Sequence, residues 1–131
     1  MLNGVRLKYL ILDTSSMLFG FSNSSNVFDI AIGEFPGYKP LVSIGIINEL
    51  EGISQNKGKK GACARIALAE IRAKKIDIDN INKADGWIVE KARRNRGSVV
   101  VTNDTPLAKR LLRFGTTVLK ISRSGMLRSA R

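Results

Sequence analysis

Two short apolar runs, one near each end of the chain, stop abruptly on an aspartate. Residues 9–12 are Tyr-Leu-Ile-Leu and precede Asp13, and residues 98–103 are Ser-Val-Val-Val-Thr-Asn and precede Asp104. Continuous bulky runs of this length are typical of strands that are buried on both faces of a parallel sheet. Because the carboxyl ends of parallel strands meet at the ligand-binding edge of an α/β sheet, we expect Asp13 and Asp104 to lie close together.

Between these runs, segments with the 3.6-residue period of a helix alternate with short extended segments. Helices are predicted at residues 14–20, 27–32, 44–53, 62–75, 81–96 and 105–114, and strands at 9–12, 41–43, 76–79, 98–103 and 117–121. This alternation predicts a three-layer α/β/α fold around a central parallel sheet of about five strands. A single domain is expected over residues 1–121, followed by a basic C-terminal tail at 122–131.

Hydroxyl residues and glycines suggest where some of these helices begin and end. Thr14 or Ser15 is expected to cap the first helix, and Ser43 the third. Residues 52–61 are polar and glycine-bearing, so they predict a mobile basic loop between the third and fourth helices.

The charge balance indicates which kind of partner the protein binds. Lys and Arg number 22 against 11 Asp and Glu, which gives a net charge of +11 and favours a polyanion such as nucleic acid. Two basic groups stand out as candidate contacts to a nucleic acid: Lys57, Lys59 and Lys60, and Arg93, Arg94 and Arg96. Each of these cations is equally consistent with an ordinary solvated surface.

The absence of histidine restricts the chemistry to carboxylates, assisted by hydroxyls. Cys63 is the single cysteine, which excludes an intrachain disulfide and favours the reducing cytosol, so a cytoplasmic protein is expected. The apolar run at 9–12 is too short for a signal peptide or a transmembrane span, and no membrane association is expected.

Four acids have reasons to converge. Asp13 and Asp104 end strands, Asp85 falls in the first turns of a helix, and Glu49 lies on the helix after the second strand. Glu51 lies on the opposite flank of that helix, and periodicity does not choose between the two glutamates. Taken singly, such carboxylates are more often turn or cap residues.

Together, the acids point to a metal. Two carboxylates ~4 Å apart repel by about 4 kcal/mol at an effective dielectric constant near 20, so a shared cleft needs a counterion. Oxygen-only clusters suit Mg²⁺ or Mn²⁺. In a basic protein, such an ion would serve the hydrolysis of a phosphodiester bond.

In their order and spacing, these motifs resemble PIN-domain nucleases, especially the small archaeal branch near the rRNA-processing PIN proteins and the VapC-type toxins. The motifs are Leu12-Asp13-Thr14-Ser15, Asn48-Glu49-Leu50-Glu51, Ala84-Asp85 and Val101-Thr102-Asn103-Asp104, and the resemblance covers about residues 8–121. It implies a sheet order of 3-2-1-4-5 and a metal-dependent endoribonuclease. It also implies that Asp13, Glu49, Asp85 and Asp104 coordinate the metal.

The same resemblance prefers Glu49 over Glu51, gives the Thr102 hydroxyl a role in orienting the catalytic site, and leaves Ser15 close enough to assist. The implied partners are RNA (an rRNA precursor, a tRNA or an mRNA), an antitoxin or a ribosome-assembly factor, and a second copy in a homodimer. The alternative left open is a catalytically silent RNA-binding subunit of such a complex. A haloacid-dehalogenase-type enzyme fits less well, because it requires an aspartate where Ser15 stands.

Overall fold

One mixed sheet forms the centre of the computed structural model, which describes residues 7–81 and 85–130. Its strands are β1 (Tyr9–Leu12), β2 (Lys39–Ser43), β3 (Asp77–Asp79), β4 (Val99–Val101), β5 (Thr117–Ile121) and β6 (Leu127–Ser129). The strand order is β3-β2-β1-β4-β5-β6, with β1 to β5 parallel and β6 antiparallel to β5. The α/β class and the 3-2-1-4-5 order are therefore confirmed, with a sixth strand added.

Six helices connect the strands in the described residues: α1 (Thr14–Ser22), α2 (Val27–Glu34), α3 (Ile44–Ser54), α4 (Lys59–Ala73), α5 (Asp85–Arg94) and α6 (Thr105–Leu112). Helix α4 packs on α1 and α3, whereas α5 packs on α6. Right-handed crossovers place α1 to α4 on one face of the sheet and α5 and α6 on the other. Of the helices in the described residues, none is both long enough and apolar enough to cross a lipid bilayer.

Burial explains why the two apolar runs are strands. Leu10, Ile11 and Leu12 are fully buried, as are Val100 and Val101 in the adjacent strand. Covering each of these side chains stabilises the fold by about 2 kcal/mol, and helices on both faces are needed to cover them. The paired strands β1 and β4 are aligned so that Leu12 faces Val101.

Of the two helix caps that were expected from polar residues, one is present in the structure and the other is not. Ser43 Oγ accepts a hydrogen bond from the Ile46 amide at 3.2 Å, which confirms the predicted cap of α3. Helix α1 begins at Thr14, and the capping position belongs to Asp13, whose side chain makes no capping bond. The predicted Thr14 or Ser15 cap is therefore wrong, because α1 starts directly at the end of β1.

The connection between α3 and α4 is shorter than expected. Helix α4 begins at Lys59 rather than at residue 62, and only residues 55–58 remain as a loop. Arg65 Nη1 donates to the carbonyl oxygens of Ser54, at 2.7 Å, and Asn56, at 3.3 Å. A Cβ at Gly61 would overlap the Asn56 carbonyl oxygen. Glycine therefore allows the loop to fold onto the first turn of α4, and the expectation of a loop over 52–61 is wrong in extent.

The segment expected as a tail contributes to the sheet. Residues 127–129 form β6, whose backbone pairs with β5 so that Leu127 faces Ile121. The domain limits themselves remain a prediction.

Candidate active site

The carboxyl ends of β1 and β4 bring Asp13 beside the turn that carries Thr102, Asn103 and Asp104. The Asp13 amide donates to the Val101 carbonyl oxygen at 3.0 Å, which continues the β1–β4 ladder by one residue. The Thr102 amide donates to the Leu119 carbonyl oxygen at 2.9 Å, so this turn is also bonded to β5. The two strand-end aspartates therefore lie at one edge of the sheet, as expected.

Asp13 is the most buried of the candidate acids whose side chains are described, with 7% of its surface exposed. Its Oδ2 accepts hydrogen bonds from Ser15 Oγ at 2.7 Å and from Thr102 Oγ1 at 2.8 Å. These two hydroxyl oxygens are 3.2 Å apart. A buried carboxylate needs such partners, and charge-assisted bonds from two directions hold it in one orientation.

Backbone amides of the turn after β4 support both hydroxyls. The Asn103 amide donates to Ser15 Oγ and the Asp104 amide donates to Thr102 Oγ1, each at 3.0 Å. Each hydroxyl therefore accepts from the backbone and donates to Asp13. The orientation of the Asp13 carboxylate is consequently linked to the conformation of the segment that carries Asp104.

The Asn103 side chain fixes this turn against β5. Its Nδ2 donates to the Ile121 carbonyl oxygen and its Oδ1 accepts from the Ile121 amide, both at 3.0 Å. Asp104 Oδ1 accepts from the Leu107 amide at 3.1 Å, which makes Asp104 the N-cap of α6. Asp104 is half-buried and is held by its own helix.

Glu49 is connected to the start of α1. Its Oε1 accepts a hydrogen bond from Thr14 Oγ1 at 2.8 Å, and Thr14 is buried directly after Asp13. Glu51 has no comparable contact to α1 in the described part of the chain. This contact distinguishes Glu49 from Glu51, which the helical period could not do.

The fourth predicted acid, Asp85, is the first residue of α5, and its side chain lies outside the described part of the structure. The helix start is held by Asp79 at the end of β3, whose Oδ2 accepts from Trp87 Nε1 at 2.9 Å and pairs with Lys91 Nζ at 3.3 Å. The Trp87 hydrogen bond, reinforced by Lys91, lowers the pKa of Asp79 below its ordinary value. The backbone of residue 85 thus follows the carboxyl end of β3.

The donor set at this edge consists of carboxylate and hydroxyl oxygens, which suits a hard divalent cation such as Mg²⁺ or Mn²⁺. Among the side chains that the structure describes, no three His, Cys, Asp or Glu residues form a ready metal-binding group. Asp13, Glu49 and Asp104 fit the metal by chemical type, and Asp85 is the fourth candidate ligand.

The candidate RNA-contacting residues separate into two groups. The lysine cluster, defined as Lys57, Lys59 and Lys60, lies in the loop before α4 and in the first turn of that helix, whose 15 residues extend about 22 Å before β3 begins. That length exceeds any strand of the sheet, so this cluster lies on the carboxylate side. The arginine cluster, defined as Arg93, Arg94 and Arg96, ends α5 just before β4 and therefore lies at the opposite, amino-terminal edge.

Two residues of the site were not assigned these roles from the sequence. Thr14 was expected only as a helix cap, and Asn103 only as part of a motif. Their partners, Glu49 and Ile121, are 35 and 18 residues away in sequence. No local sequence pattern predicts these contacts. The only signal in the sequence was the position of a hydroxyl residue and an amide residue next to the ends of the predicted strands.

Proteins that are already known resemble this chain in sequence and in fold. The family described as PIN-like domain matches residues 10–124. Ribonuclease VapC4 of Methanocaldococcus jannaschii is 26% identical over 116 residues, which cover 86% of this chain and 88% of that protein. The solved structure of the PIN domain endonuclease Utp24 has a TM-score of 0.70 and 22% identity, over 92% of this chain and 90% of that chain. The family match includes β1 to β5 and all four candidate acids, and the chain belongs to the PIN-like domain family.

Proposed function

We propose that this protein is a divalent-metal-dependent endoribonuclease that hydrolyses phosphodiester bonds in RNA. The observation that carries the proposal is the buried Asp13 carboxylate, held by two hydroxyls beside the turn that carries Asp104. Further support comes from the relatives, since one is named a ribonuclease and the other a PIN domain endonuclease. The net charge of +11 favours a polyanionic substrate.

In this mechanism Asp13, Glu49, Asp85 and Asp104 would hold Mg²⁺ or Mn²⁺. The bound ion would supply charge neutralisation at the phosphate and activation of water. Ser15 and Thr102 keep the Asp13 carboxylate in one orientation through their hydrogen bonds to Oδ2. Such supporting partners typically change metal affinity or activity about 10- to 100-fold when removed.

Thr14 and the lysine cluster perform the remaining tasks on this side of the sheet. Thr14 donates to Glu49 and so links α3 to the residue after Asp13. The lysine cluster attracts RNA phosphates toward the carboxylates. Its positive charge reduces the electrostatic repulsion between the phosphates and the carboxylates. Each lysine is exposed and available for that contact.

The direct test is cleavage of labelled single-stranded and structured RNA in Mn²⁺, Mg²⁺ or EDTA. Asp13→Asn and Asp104→Asn should abolish metal-dependent cleavage while circular dichroism and thermal melting show folded protein. Glu51→Gln is the control, because it removes a charge from α3 but, unlike Glu49→Gln, alters no hydrogen bond to α1 in the described residues. RNA binding without cleavage in any metal, unchanged in both aspartate variants, would leave a silent RNA-binding subunit as the function.

The biological context within this proposal is rRNA processing or a VapC-like toxin activity. A toxin would cleave a tRNA or mRNA and bind a cognate antitoxin, whereas a processing enzyme would act on an rRNA precursor with ribosome-assembly factors. Sedimentation of the tagged protein with preribosomal particles, together with mapping of the RNA ends that disappear in the Asp13→Asn strain, would separate the two. Light scattering of the purified protein would test the proposed homodimer.

A further inference from the structure

A cavity of about 660 Å³ lies at the amino-terminal edge of the sheet, opposite the carboxylates. The end of α5, the residues that precede β4 and the turn between α6 and β5 form its walls. The arginine cluster lines the cavity together with Glu90, Phe114 and Thr116. We refer to it as the arginine cavity.

The charges around the arginine cavity are unbalanced. Its three arginines face one carboxylate, Glu90, so the lining carries a net charge of +2. Glu90 pairs with Arg94 at 3.5 Å, but both side chains are largely exposed, and such pairs are weak. Neither Arg93 nor Arg96 forms an ion pair within the described residues. Two of the three arginines therefore have no carboxylate partner among the described residues, and the cavity attracts an anion.

An exposed aromatic ring accompanies these cations. Phe114 is 53% exposed, and the Arg93 guanidinium lies 4.9 Å from the centroid of its ring. The guanidinium and the ring form a cation–π pair, so a planar cation and an aromatic ring are already positioned together before a third flat group binds. Bases of single-stranded nucleic acids bind to aromatic and arginine planes of this kind beside a basic groove.

Stabilisation of a helix end accounts for only part of this arrangement. Cations in the last turn of a helix complement its dipole, and α5 carries Lys91, Arg93 and Arg94 there. That explanation does not extend to Arg96, which lies beyond the helix, or to the exposure of Phe114. An acidic peptide would satisfy the arginines but would leave the ring without a flat partner.

We propose that the arginine cavity binds a single-stranded segment of the RNA substrate away from the cleaved bond. Arg93, Arg94 and Arg96 contact its phosphates, and a base stacks on Phe114. This proposal rests on the proposed function for the identity of the ligand, and it adds a second contact to the substrate.

The distance between the two edges sets the length of RNA required. From Ser98, which lines the cavity, to Asp104 the chain advances six residues, or about 20 Å in extended form. A strand that stays stacked rises about 3.4 Å per nucleotide, so about six stacked nucleotides separate the cavity from the carboxylates. The preferred substrate is therefore an RNA with a single-stranded flank of at least that length.

Binding of fluorescein-labelled oligouridylates to the full chain in EDTA tests the proposal without cleavage. The probes are about 20 and about five nucleotides long, because only the longer one can reach both edges. The variants are Phe114→Leu, which keeps an apolar side chain, and Arg93→Gln/Arg96→Gln. Arg72→Gln is the matched control, because Arg72 is an exposed cation in the last turn of α4 and lines no part of the cavity.

We expect Phe114→Leu to weaken binding of the longer RNA about tenfold, in line with the loss of one stacked base. Arg93→Gln/Arg96→Gln should reduce the slope of log K against log salt by about 1.4, or about 0.7 for each phosphate that is no longer neutralised. Arg72→Gln should change the affinity for either RNA by less than about twofold.

Equal affinity of all variants for the longer RNA would overturn the proposal, as would an equal reduction in Arg72→Gln. Polyglutamate is an anionic polymer that has no bases, so weaker binding of polyglutamate by Phe114→Leu would also contradict base stacking. The two proposals fail separately. Metal-dependent cleavage with unchanged binding would refute only the arginine cavity, whereas cavity-dependent binding without cleavage in any metal would refute only the nuclease.

Discussion

Replacement of Thr102 by valine tests whether the hydroxyl network organises the candidate active site. Valine has nearly the same shape as threonine, and Thr102 is 1% exposed, so water cannot take the place of the missing hydroxyl. Its Oγ1 donates to Asp13 at 2.8 Å and accepts from the Asp104 amide at 3.0 Å. The substitution therefore removes one charge-assisted bond and leaves one amide without its acceptor.

The expected cost follows from these two changes. A hydrogen bond to a charged group contributes about 1.5–3 kcal/mol, and an amide that loses its partner costs about 1 kcal/mol. We expect the free energy of unfolding to fall by about 3 kcal/mol. For a domain of this size that corresponds to a decrease of about 12 °C in Tm.

Thr102→Ser is the matched variant for this experiment. It keeps the hydroxyl and removes one methyl group, which costs about 1 kcal/mol, or about 4 °C. Differential scanning calorimetry in EDTA measures both effects. In a second titration, Mn²⁺ should stabilise Thr102→Val at concentrations about 10- to 100-fold higher than the wild type needs. If Thr102→Val melts at or above Thr102→Ser and needs no more Mn²⁺, the hydroxyl does not organise the site.

Three other tests address separate parts of the structure. Glu49→Gln should lower metal-dependent cleavage by more than about 100-fold, whereas Glu51→Gln should stay within about twofold, and equal effects would contradict the role of the Thr14 contact. Gly61→Ala should lower the free energy of unfolding by about 1–3 kcal/mol, because its Cβ meets the Asn56 carbonyl. Gly52→Ala should raise the free energy of unfolding by about 0.5–1 kcal/mol, since no atom lies within contact distance of a Cβ there. A urea titration that finds Gly61→Ala more stable than Gly52→Ala would contradict this packing. Asp79→Ala should be less stable than the wild type at neutral pH. Because the pKa of Asp79 is lowered in the fold, the stability that it contributes is present above its ordinary value and is lost as the pH falls through the lowered value. The difference between the two proteins should therefore shrink below about pH 4, and a difference that is constant with pH would contradict this account.

The strand ends of this fold could be predicted because burial leaves a plain signature in the sequence. Residues 10–12 and 99–101 are covered on both faces, so these positions are constrained to be bulky and nonpolar. Parallel pairing then places both aspartates at one edge. The sheet order came from the family resemblance, not from the apolar pattern.

Several local details required tertiary contacts that no pattern contains. The start of α4 at Lys59 opposes the low helix propensity of Gly58 and Gly61, and it depends on packing of the preceding loop against Gly61. Strand β6 is three residues of mixed polarity, and it exists because its backbone pairs with β5. The hydrogen bonds of Thr14 to Glu49 and of Asn103 to Ile121 join residues far apart in sequence.

The separation of the two basic clusters follows from the connectivity of the fold. In a parallel sheet each connection between strands must return from the carboxyl edge to the amino edge, so the last helix of a connection ends away from the residues that end a strand. Helix α5 makes this return, with Asp85 at its start and the arginine cluster at and just beyond its end. The candidate catalytic carboxylates and the arginine cavity are thus at least the length of one ten-residue helix apart, or about 15 Å. An RNA that contacts both edges would run along the face that carries α5 and α6, because α6 likewise leads from Asp104 toward Phe114.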